Sequence, residues 1–251
     1  MVVSESSAAS RPTISVIVPA LNEEGQIREA VREAEAALVG HFADWEMLLF
    51  DDGSKDSTGT IMDELALGDP RRRVTHNPYP HNLGGVYRQG VAMARHEYLM
   101  MVPGDNENPG SALAAPFAAL GQADIVLPFP TNSRVRGLFR QFASRAYTGL
   151  MNLLFGLNVR YYNGTVIHRT VNLRSITIET ASFAYQSEIL VKMLRAGKSY
   201  VEVGIEIEPP QAGRRSRALR WKNLREVLRT VGRLFVDLRL RSSKPAGKGA
   251  R

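Results

Sequence analysis

The sequence contains no cysteine. Thiolate nucleophiles, disulfides and cysteine-based metal sites are thereby excluded, and the composition fits a reducing compartment. No window approaches the ~18 consecutive apolar residues of a transmembrane helix, so the chain is not expected to span a bilayer, while lying on the surface of one stays open. Met1 to Thr13 is rich in Ser and Ala but lacks the apolar core of a secretory signal, and reads as a disordered lead-in. No G-x-G-x-x-G follows the first apolar run and no G-x-x-x-x-G-K-[ST] occurs anywhere, which removes the main support for dinucleotide and P-loop sites. Acidic residues are scarce at one end only. From position 210 onward 13 Lys/Arg face two acids, Glu226 and Asp237, a local charge of +11 that leaves −4 for residues 1–209. The body is mildly acidic and the basicity belongs to the tail.

What is present is ordinary globular material: 251 residues, 44% hydrophobic and 23% charged, enough for one large domain with appendages. Between Ile14 and Val102, short apolar runs at 14–18, 46–50, 73–76 and 97–102 alternate with helix-like segments at 24–38, 57–67 and 84–95. In the first of these, Ile27, Ala30, Val31, Ala34 and Leu38 recur at helical spacing. Strands alternating with helices predict βαβ units and a parallel sheet. Farther on, 111–121 reads as a helix, 124–128 as a strand, 134–157 as an amphipathic stretch, 182–196 as a helix, 200–203 as a strand and 218–240 as an Arg-rich helix.

Three apolar runs end in acidic or amide residues. Val18 leads into Pro19-Ala20-Leu21-Asn22-Glu23-Glu24, Phe50 into Asp51-Asp52-Gly53-Ser54-Lys55-Asp56-Ser57, and Val102 into Pro103-Gly104-Asp105-Asn106-Glu107-Asn108. One such segment alone is read most simply as a turn. Three at the same strand-end position predict a single polar site, because ligands of open α/β sheets bind at the carboxyl ends of the strands. The loops at 19–23, 51–56 and 103–107 are therefore expected to converge.

These motifs resemble the family 2 glycosyltransferases of GT-A fold, and within them the dolichyl- or polyprenyl-phosphate mannosyl- and hexosyltransferases, over roughly Ile14 to Val236. The segment 19–23 is similar to the family's nucleotide loop P-x-x-N-E, and 51–58 to its D-D-G-S-x-D-x-T. The resemblance implies a Rossmann-like, mostly parallel twisted sheet flanked by helices. It also implies that Pro19, Asn22, Glu23, Asp51 and Asp52 cradle a nucleotide-sugar donor, with Asp51 accepting from the base. The family's D-x-D, written D-A-D-x-Q-H-P in the polyprenyl-phosphate branch, aligns with residues 103–109. Its first Asp has become Pro103, its second is kept as Asp105, and the Gln position holds Glu107. Mg²⁺ or Mn²⁺ on the donor diphosphate is implied, held by Asp105 and Glu107, since these hard ions use one or two carboxylates plus substrate phosphates.

Phe183-Ala184-Tyr185-Gln186-Ser187-Glu188-Ile189 is similar to the branch's Y-A-F-Q-x-E-M. Many members that act on sugar hydroxyls carry an Asp base where Gln186 stands. A hydroxyl must lose its proton as it attacks, whereas a phosphate monoester is already anionic, so the missing base points to a phosphate acceptor. Arg140-Gln141-Phe142-Ala143-Ser144 matches R-x-x-x-S, the branch's acceptor-phosphate clamp, and Arg134 matches another of its arginines. On a helix, Arg140 and Ser144 form an i, i+4 pair that can share one phosphate. Two segments depart from the branch. Its D-Y-x-S-G-F-R stands here as Arg160-Tyr161-Tyr162-Asn163-Gly164-Thr165-Val166, and its R-x-x-G-x-S-K is only loosely echoed at 213–217.

The implied activity is inverting transfer of a hexose from a nucleotide-diphosphate sugar to a polyprenyl phosphate, with Asp105, Arg140 and Ser144 as catalytic residues. The implied setting is the cytoplasm, peripheral to the membrane. Two alternatives stay open: a family 2 transferase with a soluble sugar or glycan hydroxyl acceptor, using Glu188 as base, and a nucleotide-sugar- or nucleic-acid-binding module without turnover. The expected organisation is a lead-in at 1–13, a GT-A domain at 14–215, a basic amphipathic helix at 216–241 and a disordered tail at 242–251. In that helix Leu219, Trp221, Leu224, Val227, Leu228, Val231, Leu234, Phe235 and Leu238 recur at helical spacing among arginines. Such a helix reads as an anchor to an anionic membrane surface, as a helix packed on the body, or as a nucleic-acid stripe. A lipid-linked acceptor favours the first, and nucleic acid is the least expected partner.

Overall fold

In the computed structural model, residues 11–106, 110–135, 137–208 and 221–241 are described. Strands β1 (Thr13–Ala20) and β2 (Asp44–Asp51) are apolar on both faces and almost wholly buried, as strands covered by helices on both sides must be. β1 pairs in parallel with β2 and with β4 (Tyr98–Met101), and β2 pairs in parallel with β3 (Arg72–His76). With β5 (Ile125–Pro130), β6 (Ile167–Arg169) and β7 (Tyr200–Ile205), they form a seven-stranded sheet in the order β3-β2-β1-β4-β6-β5-β7. β6 runs antiparallel to both β4 and β5, while β5 and β7 are parallel. The reversals through β6 cancel, so β5 and β7 point the same way as β1 to β4. All strands except β6 therefore end on one edge of the sheet. The sequence carries no clear signal for β6, which is three residues long and contains His168 and Arg169.

Helices α1 (Ile27–Leu38), α2 (Thr58–Ala66) and α4 (Ala114–Ala118) cover one face. They bury Ile27, Val31, Leu38, Met62 and Phe117 with Val16, Val18, Met47 and Leu49. The other face carries α3 (Asn82–Met93), α5 (Leu138–Phe155), α6 (Thr170–Arg174), α7 (Tyr185–Arg195) and α8 (Trp221–Phe235). There Val86, Tyr87, Phe155, Leu173, Ile189 and Leu234 join Ile17, Leu48 and Phe50. Each such side chain taken fully out of water stabilises the fold by ~1.5–3 kcal/mol. The helix expected at 111–121 is instead a 3₁₀ turn (Gly110–Leu113) followed by the short α4. α5 stops at Gly156, whose φ of 65° gives the left-handed C-cap that glycine adopts without strain.

The basic helix is turned inward. Val231 and Leu234 of α8 are buried, and Val227, Phe235 and Leu238 pack against the same cluster. Thr230 Oγ1 lies 3.0 Å from Thr180 Oγ1, and Arg233 Nε is 3.7 Å from Glu179. Most of the described apolar stripe is thus packed on the body, with Leu228, Arg225, Arg229 and Arg233 on the exposed side. Of the expected lead-in, Thr13 opens β1. Residues 1–10, 209–220 with the loop at 213–217 and the expected start of the basic helix, and 242–251 lie outside the described residues, as do the side chains of 221–224 and 239–241.

One buried polar pair on β6 and α7 sets an acid limit. His168 is fully buried, and its Nε2 lies 3.0 Å from Gln186 Nε2. Burial pushes the imidazole down to about 3. In the unfolded chain the same group protonates near 6.5, so its contribution is complete above that pH and is lost as pH falls from 6.5 toward 3. In that window, stability should drop by up to ~1.4 kcal/mol per pH unit. Thermal melts between pH 4.5 and 7 should show this slope, and His168→Gln should flatten it.

Candidate active site

The three strand-end loops do converge. Gly104 N donates to Pro19 O (2.9 Å) and Asp52 N to Ala20 O (2.9 Å), joining the ends of β4 and β2 to that of β1. Asn22, with φ 54°, donates its N–H to Ser54 Oγ (3.0 Å) and accepts from Lys55 N at Oδ1 (2.8 Å). Glu23 N donates to Thr58 Oγ1 (2.8 Å), and Glu24 exchanges bonds with Asp56 (3.3 Å) and Ser57 (3.0 Å). The D-D-G-S-x-D-x-T segment is therefore cross-laced to the P-x-x-N-E segment, and Asn22 acts largely as the lace.

The two aspartates divide the work. Asp51 Oδ1 accepts from Ser54 N (2.9 Å), and its Oδ2 lies 3.1 Å from His76 Nδ1. Burial pushes its carboxyl up, but the Ser54 hydrogen bonds and His76 outweigh this and hold it below the usual range. Asp52, expected at the donor, is turned to an internal task. Its oxygens accept from Asn77 Nδ2 (2.9 Å), His81 N (2.8 Å) and Asn82 N (2.9 Å), which fixes the loop ahead of α3. Gly53, φ 80°, lets that loop close in, since a Cβ there would stand 3.1 Å from the Tyr79 backbone.

At the end of β4, Asp105 is followed by Asn106, whose φ is 54° and whose Oδ1 is buried without a hydrogen-bond partner. An unsatisfied buried carbonyl oxygen beside a carboxylate is a donor set that a hard divalent cation completes. Oxygen donors of this kind suit Mg²⁺ or Mn²⁺, while among the described residues no group of three or more His, Asp or Glu is arranged to hold an ion. Glu107, the second expected ligand, lies outside the described residues.

Arg140 and Ser144 lie one turn apart on α5. Both line a cleft of about 150 Å³ with Phe129 and Pro130 of β5, Arg145, and Arg160 from the loop after α5. Arg160 is tied by its Nε to Glu202 Oε2 (3.3 Å) and stacks over Phe129 (4.8 Å). Among the described residues, no carboxylate pairs with Arg140 or Arg145. Converging guanidiniums and hydroxyls suit a phosphate. β5 ends on the same edge as β4 with β6 between them, so the cleft and the Asp105 loop belong to the same edge of the sheet. Arg134 lies in a 3₁₀ turn, Ser133–Val135, exposed beside the cleft that Ser133 lines. The outer face of α5 is apolar: Leu138 is 84% exposed, Phe139 73%, Phe142 72% and Leu153 78%.

Glu188, the base of the hydroxyl-acceptor alternative, is fully buried. It accepts from Glu179 N (2.9 Å) and Thr180 N (2.8 Å) and pairs with Lys192 Nζ (2.7 Å). This corrects that assignment: the carboxylate clamps a loop and has no path to a substrate proton. Gln186 is likewise buried, against His168. Sequence reasoning missed His76 and Arg145. The register of β2 with β3, which pairs Asp51 with His76, is the signal that points to the first. For Arg145 the signal is its place directly after Ser144.

Residues 15–180 match the model of "Glycosyl transferase family 2". The chain is 27% identical over 221 residues to the undecaprenyl-phosphate mannosyltransferase of Micrococcus luteus, covering 80% of this chain and 85% of that protein. It is 26% identical over 195 residues to the undecaprenyl-phosphate 4-deoxy-4-formamido-L-arabinose transferase of Pseudomonas fluorescens, covering 71% of this chain and 56% of the relative. In structure it is similar to glucosyl-3-phosphoglycerate synthase from Mycobacterium tuberculosis, crystallised with Mn²⁺, UDP and glucosyl-3-phosphoglycerate. That match has a TM-score of 0.65 and 18% identity, covering 94% of this chain and 82% of that one.

Proposed function

The chain belongs to glycosyl transferase family 2, and from that premise we propose that this glycosyltransferase moves a hexose from a nucleotide-diphosphate sugar to a polyprenyl phosphate. The observation that carries the lipid acceptor is on α5. Its one flank lines a cleft with Arg140, Ser144, Arg145 and Arg160, and its outer face exposes Leu138, Phe139, Phe142 and Leu153. A soluble acid needs only the first. A phosphate on a long isoprenoid chain uses both, because exposed apolar area of this size marks an interaction surface. The names of the M. luteus and P. fluorescens relatives support the same class of acceptor. In this reading α5 offers the membrane a contact surface besides the basic tail.

In this reading the donor lies over the carboxyl ends of β1, β2 and β4, with Asp51 accepting from the base and Pro19 and Glu23 walling the nucleoside. Asp105, with the Asn106 amide oxygen and Glu107, would hold Mg²⁺ or Mn²⁺. When bound, the ion supplies positive charge to the leaving diphosphate. Arg140 and Ser144 hold the acceptor phosphate so that one of its oxygens faces the anomeric carbon. The new carbon–oxygen bond forms as the bond to the nucleoside diphosphate breaks, through an oxocarbenium-like centre. Direct displacement inverts the anomeric configuration, as the family resemblance implies. No base is required, since the attacking oxygen is already anionic.

The test uses acceptor chain length. Leu138→Glu with Phe142→Glu alters only exposed positions, so the fold should persist. Losing ~1.5–3 kcal/mol of burial per side chain should raise KM for a long-chain polyprenyl phosphate ~10-fold or more, and leave a short water-soluble analogue unchanged. Equal effects on the two acceptors would count against the lipid surface.

A further inference from the structure

His76 closes β3 directly opposite Asp51, the last residue of β2, and Asn77 N donates to Asp51 O at 2.8 Å. Its ring spans two carboxylates. Nδ1 lies 3.1 Å from Asp51 Oδ2, and Nε2 lies 3.1 Å from Asp63 Oδ1 on α2. Space for this bridge exists because residue 59 is glycine. A Cβ there would stand 2.7 Å from Asp51 Oδ2 and 3.2 Å from His76 Nδ1. We propose that His76 is a positioning residue for donor binding, which holds the Asp51 carboxylate toward the nucleobase by bridging it to Asp63. The inference rests on the donor reading of the strand-end site given above.

The chemistry of the bridge makes it titratable. A neutral imidazole has one N–H and can donate to only one carboxylate, whereas the imidazolium donates to both. Asp51 from β2 and Asp63 from α2 are the charged groups in contact with the ring. The bond to Asp51 raises the imidazole above its ordinary value, burial opposes this, and Asp63 adds to the rise. The bridged state is therefore complete below about 6.5 and is lost as pH rises through the raised value. In the bridged state Oδ2 of Asp51 is fixed. Without it the carboxylate keeps its backbone and side-chain bonds to Ser54, and the nearby positive charge that favours an anionic nucleotide is gone.

Asp63 makes the proposal testable at a distance. It is 61% exposed and has no place in the donor site, so its removal acts on the nucleotide only through His76. Calorimetric titration with UDP, and in parallel with GDP, from pH 6 to 8.5 with Mg²⁺ present would compare three proteins: wild type, His76→Asn and Asp63→Asn. The nucleotide's own ionisation is common to all three and cancels in the comparison. Wild-type Kd should rise with pH by about tenfold more than that of His76→Asn, within the usual range of coupling between sites. Asp63→Asn should shift the inflection to lower pH, and NMR titration of the His76 ring should move with it. Identical pH profiles in all three proteins, with nucleotide bound, would overturn the role of His76. Absence of binding by wild type to either nucleotide at every pH would instead overturn the donor reading, and the inference with it.

Discussion

Asp105→Ala is expected to lower turnover by ~10²-fold or more, the scale of removing one preorganised electrostatic stabiliser. Charge builds on the leaving diphosphate as the glycosidic bond breaks, and the β4 loop is where opposing charge would be held. Pro103 occupies the position of the first family aspartate, so this loop has fewer carboxylates to share the task. Glu107→Ala should be impaired for the same reason. Steady-state kinetics over a Mg²⁺ and Mn²⁺ titration reads the effect. The kcat of Asp105→Ala should stay low at saturating metal, while its melting temperature stays near that of wild type. Full activity of Glu107→Ala in excess chelator would remove the metal from the account.

Arg140→Ala should raise the KM for the phosphate acceptor and leave the KM for the donor unchanged. A charge-assisted hydrogen bond contributes ~1.5–3 kcal/mol, which corresponds to ~10- to 150-fold in acceptor kcat/KM. Arg140→Lys keeps the charge but not the planar fork and should fall between the two. Ser144→Ala removes a single hydroxyl donor and should cost less, near ~0.5–1.5 kcal/mol. The pattern, more than any single value, identifies the cleft: acceptor kinetics shift in the order Ala, Lys, wild type at position 140, with donor kinetics flat. A rise in donor KM of the same size would place Arg140 on the wrong substrate.

The parallel half of the sheet was legible because β1, β2 and β4 are short, largely apolar runs buried on both faces, while β3, Arg72–His76, is only partly buried. Convergence of the loops followed from strand ends alone, since parallel strands deliver all their carboxyl ends to one edge. What was not legible were the facings. Leu138, Phe142 and Leu153 are as apolar as Met151 and Phe155, yet the first three are exposed and the last two buried. A helix with apolar residues on both sides of a polar flank does not announce which apolar side faces out. The same ambiguity left the apolar stripe of α8 between a bilayer and the body, and Val231 and Leu234 are core residues. Glu188 was read as a candidate base because a carboxylate beside a family motif invites it. Only the fold brings the backbone N–H groups of residues 179 and 180 onto its oxygens. Asp52 was grouped with Asp51 as a neighbour in sequence, but its bonds run to the loop before α3 rather than toward the open edge.

The central claim is transfer of a sugar onto a lipid phosphate, and the most direct test is to follow the label. The protein would be incubated with a panel of radiolabelled nucleotide-sugars and Mg²⁺, with undecaprenyl phosphate in detergent, undecaprenol lacking the phosphate, or 3-phosphoglycerate as acceptor. The account predicts that label from one donor enters the organic phase with undecaprenyl phosphate alone, as a product sensitive to mild acid. Label carried only by 3-phosphoglycerate, or transferred equally well to undecaprenol, would contradict it.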